Sequence, residues 1–141
     1  MVSCDNNRVY DSWEEMSPLG WNKDSVYTFN AAVTDTITPM NIIIGLRNTN
    51  LYPHSNLWTF VSTENPNGTI QRDTFEMTLA SPYGEWYGSG WGNIFTSLYY
   101  YKTNQRFSSS GNYAFTIQHG MRKDMLEGIQ AIGIRIEKVE K

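Results

Sequence analysis

The side chains of this chain with capacity for chemistry are two histidines, scattered carboxylates, three arginines in ordered contexts and a set of aromatic residues. Glu14 and Glu15 are sequence neighbours, and neighbours on an extended chain point apart. Asp73 and Glu76 stand at an odd spacing on one strand pattern, so they fall on opposite faces. Neither pair sets up the two facing carboxylates that glycoside hydrolysis requires. His54 precedes Ser55, but adjacent residues do not form a base–nucleophile pair, and no Gly-x-Ser-x-Gly elbow is present. His119 closes an alternating apolar run, which favours a hydrogen-bonded structural imidazole over a catalytic base. No Asp-x-Asp-x-Asp-Gly loop occurs, so neither a metal nor a cofactor is expected, although sandwich loops can converge on calcium. Arg135 is expected to pair with carboxylates or carbonyls. Arg47 and Arg122 read equally as such partners or as ligand anchors. Trp86, Tyr87, Trp91 and Tyr99–Tyr101 offer rings that could stack on sugars, or that could fill the core and cover glycine-rich backbone.

The elements that must position these residues are strands. Tyr113, Phe115 and Ile117 alternate with Ala114, Thr116 and Gln118, and Ile132, Ile134 and Ile136 alternate with Gly133, Arg135 and Glu137. A period of two puts one set on a core and the other toward solvent. Tyr27, Phe29, Ala31 and Val33 repeat the pattern. In Met40–Thr49, Ile42, Ile44 and Leu46 face one way and Ile43, Gly45 and Arg47 the other, which suits a central strand. Val9, Tyr10 and Trp13 suggest a short first strand or an apolar strap over a sheet. Leu57–Thr63 and Thr69–Leu79 flank Asn65-Pro-Asn-Gly68, a strong hairpin signal; the sequon that begins at Asn67 is read only as part of this turn. The polar stretch Arg47–Asn56 reads as a surface loop, and Ser81–Asn93 as a glycine–aromatic loop or kinked edge strand. Eight to nine strands with turns about every ten residues predict an all-β fold, an antiparallel two-sheet sandwich of jelly-roll type. At most one short helix is allowed, within Met121–Glu127.

Length and composition set the outer bounds. The chain has 141 residues, 40% hydrophobic, 14% aromatic and 18% charged, which is enough for one domain with a core and unlike a disordered tail. A net charge of −3 without a basic run argues against nucleic acid as a partner. No run of eighteen apolar residues is present to form a transmembrane helix. The single cysteine, Cys4, cannot form an internal disulfide. It is either a spare thiol or a lipid attachment site, because Met1-Val2-Ser3-Cys4 looks like the tail of a bacterial lipobox. Residues 1–8 therefore read as a lipobox remnant and tether, and residues 9–141 as a single sandwich domain.

Several segments together resemble the gliding motility lipoprotein GldH family of Bacteroidetes. They are Cys4-Asp-Asn-Asn-Arg-Val-Tyr-Asp11, Leu46-Arg-Asn-Thr-Asn-Leu-Tyr-Pro-His-Ser-Asn-Leu57, Gly84-Glu-Trp-Tyr-Gly-Ser-Gly-Trp-Gly92, Tyr113–Arg122, Leu126–Ile129 and Gly133–Lys138. The resemblance implies a membrane-anchored lipoprotein of the cell envelope, lipidated at Cys4, periplasm-facing or in the outer membrane. It further implies a non-enzymatic accessory of gliding motility and its associated secretion machinery, acting through contacts with other envelope proteins. The aromatics keep a second class open, a carbohydrate-binding jelly-roll domain. The residues expected to carry a binding surface in either case are Arg47, Asn48, Asn50, Tyr52, Ser55, Asn56, Trp86, Trp91, His119 and Arg122.

Overall fold

A computed structural model describes residues 7–139. The strands are β1 (Arg8–Glu15), β2 (Trp21–Asn22), β3 (Tyr27–Val33), β4 (Met40–Thr49), β5 (Asn56–Glu64), β6 (Ile70–Thr78), β7 (Ser89–Trp91), β8 (Ile94–Gln105), β9 (Gly111–His119), β10 (Met125–Leu126) and β11 (Ile129–Lys138). A five-stranded sheet in the order β1-β11-β4-β8-β7 faces a four-stranded sheet in the order β3-β9-β5-β6, and β2 pairs with β10 alone. All pairings are antiparallel. The chain changes sheet after β1, β3, β4, β6, β8 and β9. This interleaving, β1-β11-β4-β8 over β3-β9-β5-β6, is the jelly-roll arrangement of a sandwich.

Alternation dictates the core. Phe29, Ala31 and Val33 of β3 and Tyr113, Phe115 and Ile117 of β9 meet Ile42, Ile44 and Leu46 of β4 and Ile132, Ile134 and Ile136 of β11. Large aliphatic and aromatic side chains buried this way contribute about 1.5–3 kcal/mol each. The outer face of β4 is buried too, for a different reason. Trp13 of β1 lies flat across the adjacent Gly133 and Gly45, where an added Cβ would come within 2.7 and 2.6 Å of the indole. The first strand is thus also the strap: it pairs with β11 and lays its tryptophan over the sheet.

The segment 121–127 contains no helical element. It turns and forms β10, with Leu126 opposite Trp21 and Met125 opposite Asn22. Leu126 and Trp21 are both fully buried, so the backbone stays extended to bring them together, and the Trp21 indole N–H donates to the Ser25 carbonyl (3.0 Å). Asn65–Thr69 is the expected hairpin turn, closed by the Gly68 N–H on the Asn65 carbonyl (2.8 Å), with Gly68 at φ 91°.

Strand direction gives the sandwich two ends. The chain enters β1 at the end where β4 starts and β8 and β11 finish, since Met40 is opposite both Lys138 and Gln105. The connections there are short: 34–39, 65–69 and 106–110. The opposite end carries the connections 16–26, 50–55, 79–93 (which includes β7) and 120–128.

Candidate functional site

The four connections of that second end are tied to one another through the backbone. The Thr49 N–H donates to the Gly128 carbonyl (2.7 Å), Asn50 to Asn93 (3.2 Å), Leu79 to Ser55 (2.7 Å) and Lys23 to Asp124 (2.7 Å). Two glycines make the close approach possible. A Cβ on Gly20 would lie 2.0 Å from the Leu126 carbonyl oxygen, and one on Gly128 would lie 2.3 Å from the Tyr52 nitrogen. Both have positive φ, 110° and 89°, where glycine alone is unstrained. The end is therefore a constructed surface, not a set of independent loops.

Every binding residue expected from the sequence, apart from Cys4, falls at this end; Cys4 itself lies outside the described residues. Their roles differ. Arg47 is half-buried on the outer face of the five-stranded sheet, its guanidinium 4.9 Å from the Trp13 ring and its Nε toward Thr96 Oγ1 (3.4 Å). It lines a hollow of about 400 Å³ with Met16, Pro18, Thr49, Leu51 and Ile129. Asn50 is exposed in the turn beside it.

Asn48, Tyr52 and His119 are buried and serve the structure. Asn48 Nδ2 donates to the Thr49 carbonyl (3.1 Å). The Tyr52 hydroxyl donates to the Asn56 carbonyl (2.6 Å), and burial raises its pKa, so it stays neutral. The His119 ring packs edge-on against Trp21 at 5.6 Å. Its Nδ1 accepts from the Met121 N–H (3.1 Å), which assigns the proton to Nε2, facing the Asp124 carbonyl at 3.3 Å. Burial lowers its pKa below 6.5, the opposite of what a cationic ligand anchor would need. Ser55 offers its carbonyl to Leu79 and Ala80, and Asn56 Nδ2 donates to Glu76 (2.9 Å).

The two tryptophans separate. Trp86 is half-buried and stacked on Phe95 (5.7 Å, 28°), so one of its faces is taken. Trp91 on edge strand β7 is 90% exposed, and Tyr83 (91%) and Tyr87 (61%) stand out from the same connection. Leu19 (70%) and Leu51 (63%) add aliphatic exposure from two neighbouring connections. These residues were invisible to strand periodicity, because they sit where the period is lost; the glycine–aromatic composition was the available signal.

Arg122 is exposed. It lines a second hollow of about 380 Å³ with His54, Trp58, Gly120, Met121 and Lys123. The stretches around Arg47–Asn56 and Met121–Glu127 therefore meet in this second hollow, through His54, Met121 and Arg122, whereas the Arg47 hollow is closed by Gly128–Ala131. Arg135 pairs with Asp11 and Glu137, both at 3.6 Å. Among the described residues no three His, Cys, Asp or Glu side chains converge as a metal site, and no helix is long and apolar enough to cross a membrane.

Comparison with known proteins adds identity to this geometry. Among solved structures, a family 35 carbohydrate-binding module from Clostridium thermocellum aligns at 14% identity and a TM-score of 0.40, over 85% of this chain and 76% of that one. A CBM4 structure aligns at 9% identity and a TM-score of 0.37, over 92% of this chain and 71% of that one. Likenesses of that size speak to neither ligand nor partner. Sequence relatives are much nearer. The gliding motility lipoprotein GldH homolog of Christiangramia forsetii is 39% identical, over 96% of this chain and 87% of that protein. The gliding motility lipoprotein GldH of Flavobacterium johnsoniae is 37% identical, over 98% of this chain and 89% of that protein. The family model for the GldH lipoprotein matches residues 8–136, nearly the whole jelly roll, and the chain belongs to the GldH lipoprotein family.

Proposed function

We propose that this protein is a non-enzymatic lipoprotein of the cell envelope, an accessory component of gliding motility and its associated secretion machinery, and that it works by protein contacts at the end of the sandwich remote from β1 entry. The observation that carries this reading is the concentration of exposed Trp91, Tyr83, Tyr87, Leu19 and Leu51 on interlocked connections there. Large exposed apolar residues on a rigid frame are characteristic of interaction surfaces, and aromatic residues supply most of the contact energy in such surfaces.

Lipidation at Cys4 fits the same arrangement. Cys4 precedes Arg8 by four residues, a reach of about 14 Å at full extension. An acyl anchor at Cys4 would hold the entry end toward the membrane and turn the other end away from it, toward partners.

The test is capture from the native envelope with Cys4 intact, with a Cys4→Ala control and with Trp91→Ala and Tyr83→Ala together. The reading predicts membrane fractionation of the wild type with motility or secretion components, loss of membrane association in the control, and loss of the components in the aromatic variant. Recovery of polysaccharide without protein would move the function to glycan binding instead. Trp86 would add little to such a platform, since Phe95 covers one of its faces.

A further inference from the structure

The outer face of the four-stranded sheet has features that the loop-end reading does not use. Trp58 and Phe60 are exposed at alternate positions of β5, 40% and 51%, in the middle of a sheet face. Their setting is built. Gly120 lets the Phe60 ring lie against the backbone, since a Cβ there would come within 2.9 Å of it. The Trp58 N–H, just past the end of the β9 ladder, donates to Met121 Sδ (3.3 Å) and holds that thioether over the strand. The result is two hollows in line. One is the hollow of about 380 Å³ that holds Trp58, Met121, Arg122 and Lys123. The other, about 400 Å³, is lined by Val26, Phe60, Ser62, Arg72, Thr116 and Gln118.

The cations sort by location. Lys23, Lys102 and Arg135 have carboxylates within 4 Å, Arg106 is spent on the Ile37 carbonyl, and Arg47 lies over Trp13. Among the described residues Lys138, at the entry end, makes no ion pair and acts only through its field on Asp35; the side chains of Arg72, Arg122 and Lys123 likewise make no ion pair, hydrogen bond or ring contact. All three line these two hollows, Arg122 and Lys123 at one end and Arg72 at the other. Of the acids at this face, Asp73, which also lines the second hollow, is held by Tyr101 and Lys102, Glu76 is held by Asn56, and Glu64 lies beyond Ser62 at the strand's end. A protein of net charge −3 thus presents an apolar stripe bracketed by free positive charge.

We infer that this face is a docking strip for an extended acidic segment of a partner protein: a short apolar core seated on Trp58, Phe60 and Met121, with carboxylates on both sides reaching Arg122 and Lys123 at one end and Arg72 at the other. The inference rests on the protein-contact reading and names the chemistry of one partner. From Trp58 to Ser62 is roughly 13 Å at 3.3 Å per residue, the length of about five extended residues. Carboxylates suit the guanidinium forks better than a continuous polyanion would, because Glu64 and Glu76 interrupt the positive field.

The test uses the folded protein and a labelled eight-residue peptide with two aromatic residues two positions apart, flanked by glutamates, followed by fluorescence anisotropy. Expected is binding in the range of tens of micromolar that weakens severalfold between 50 and 200 mM salt. Lysine-flanked and apolar-to-serine peptides should not bind. Arg122→Glu with Lys123→Glu, both exposed and without a side-chain contact to lose, should lose at least tenfold, as should Trp58→Ala; Arg72→Glu should lose less. Equal binding by the lysine-flanked peptide, binding unchanged in the charge-reversed protein, or no binding by any peptide would each overturn the inference. The same charge-reversed protein separates the two levels of the account in envelope capture. If wild type and variant retain the same components, only the docking strip fails; if the wild type captures none, the protein-contact reading fails.

Discussion

At the end where the chain enters β1, three short connections touch only through side chains, Arg106 on the Ile37 carbonyl and Pro66 against Gly111. At the other end four connections press against one another. The contrast shows at two turn glycines, although Gly84 and Gly92 in the outer loop-end connection 79–93 are as open as Gly68. Gly68, in the entry-end hairpin, has φ 91° and nothing within 4 Å of an added Cβ. Gly20, at the loop end, has φ 110° and a carbonyl oxygen at 2.0 Å from that position. The lesson is that the apolar residues of the loop end are exposed on a packed base. Exposure there is not looseness, and a rigid base is what allows exposed aromatics to bind without a large ordering cost.

The largest expected effect tests that packing. Gly20→Ala should destabilise by about 3 kcal/mol or more, since backbone must move in addition to the strain of positive φ. Gly68→Ala should cost about 1 kcal/mol, from the backbone conformation alone. Chemical denaturation of both variants checks the difference, and similar losses would erase the distinction between the ends.

Acid should separate the ends next. His119 has a folded-state pKa below 6.5 because burial opposes its charge, so the unfolded chain takes up the proton first. Its contribution is complete above pH 6.5 and declines as pH falls through that value toward the folded pKa. At the entry end, Asp35 is lowered to about 2, chiefly by hydrogen bonds from Thr38 and then Ile37. Its contribution is present above 3.8 and is lost only as pH falls toward 2. Denaturation midpoints should therefore drop between pH 7 and 5, and His119→Gln should flatten that part of the profile while leaving the more acidic part intact. Hydrogen exchange at pH 5 should show the connection 120–128 opening before 34–39.

The smallest structural effect belongs to Trp91, on which the proposed contact surface leans most. Trp91→Ala removes a side chain that is 90% exposed, so stability should change by no more than about 0.5 kcal/mol. Capture of envelope proteins should nevertheless fall. A stability loss comparable to that of Gly20→Ala would mean that Trp91 supports the fold.

Much of this was legible beforehand, and the reasons are local. Tyr113–Ile117 and Ile132–Ile136 announced strands because the pleat repeats every two residues and a buried face enforces it. Interleaved strands of that kind in a chain this size lead to a jelly roll. β2 and β10 could not be read, since two residues carry no period; only the burial of Trp21 and Leu126 explains why 121–127 turns and extends. Trp86 and Trp91 lie in one glycine-rich stretch, and nothing in composition says which would stack on Phe95 and which would face water. The convergence of Arg47, Tyr52, Asn56, Trp91, His119 and Arg122 at one end follows from strand direction. It needed the full strand count, including the short edge strand β7, before the parity of each connection could be assigned. The free cations of the four-stranded face were hidden for another reason: pairing is a property of space, and Arg72 lies about fifty residues from Arg122.

The most direct test of the central claim is site-specific photocrosslinking in the native envelope, with a photoreactive residue in place of Trp91 at the loop end or of Ile37, which is 80% exposed, at the entry end. The account predicts discrete protein adducts from position 91 and none from position 37. Adducts from position 37 with none from position 91 would contradict it.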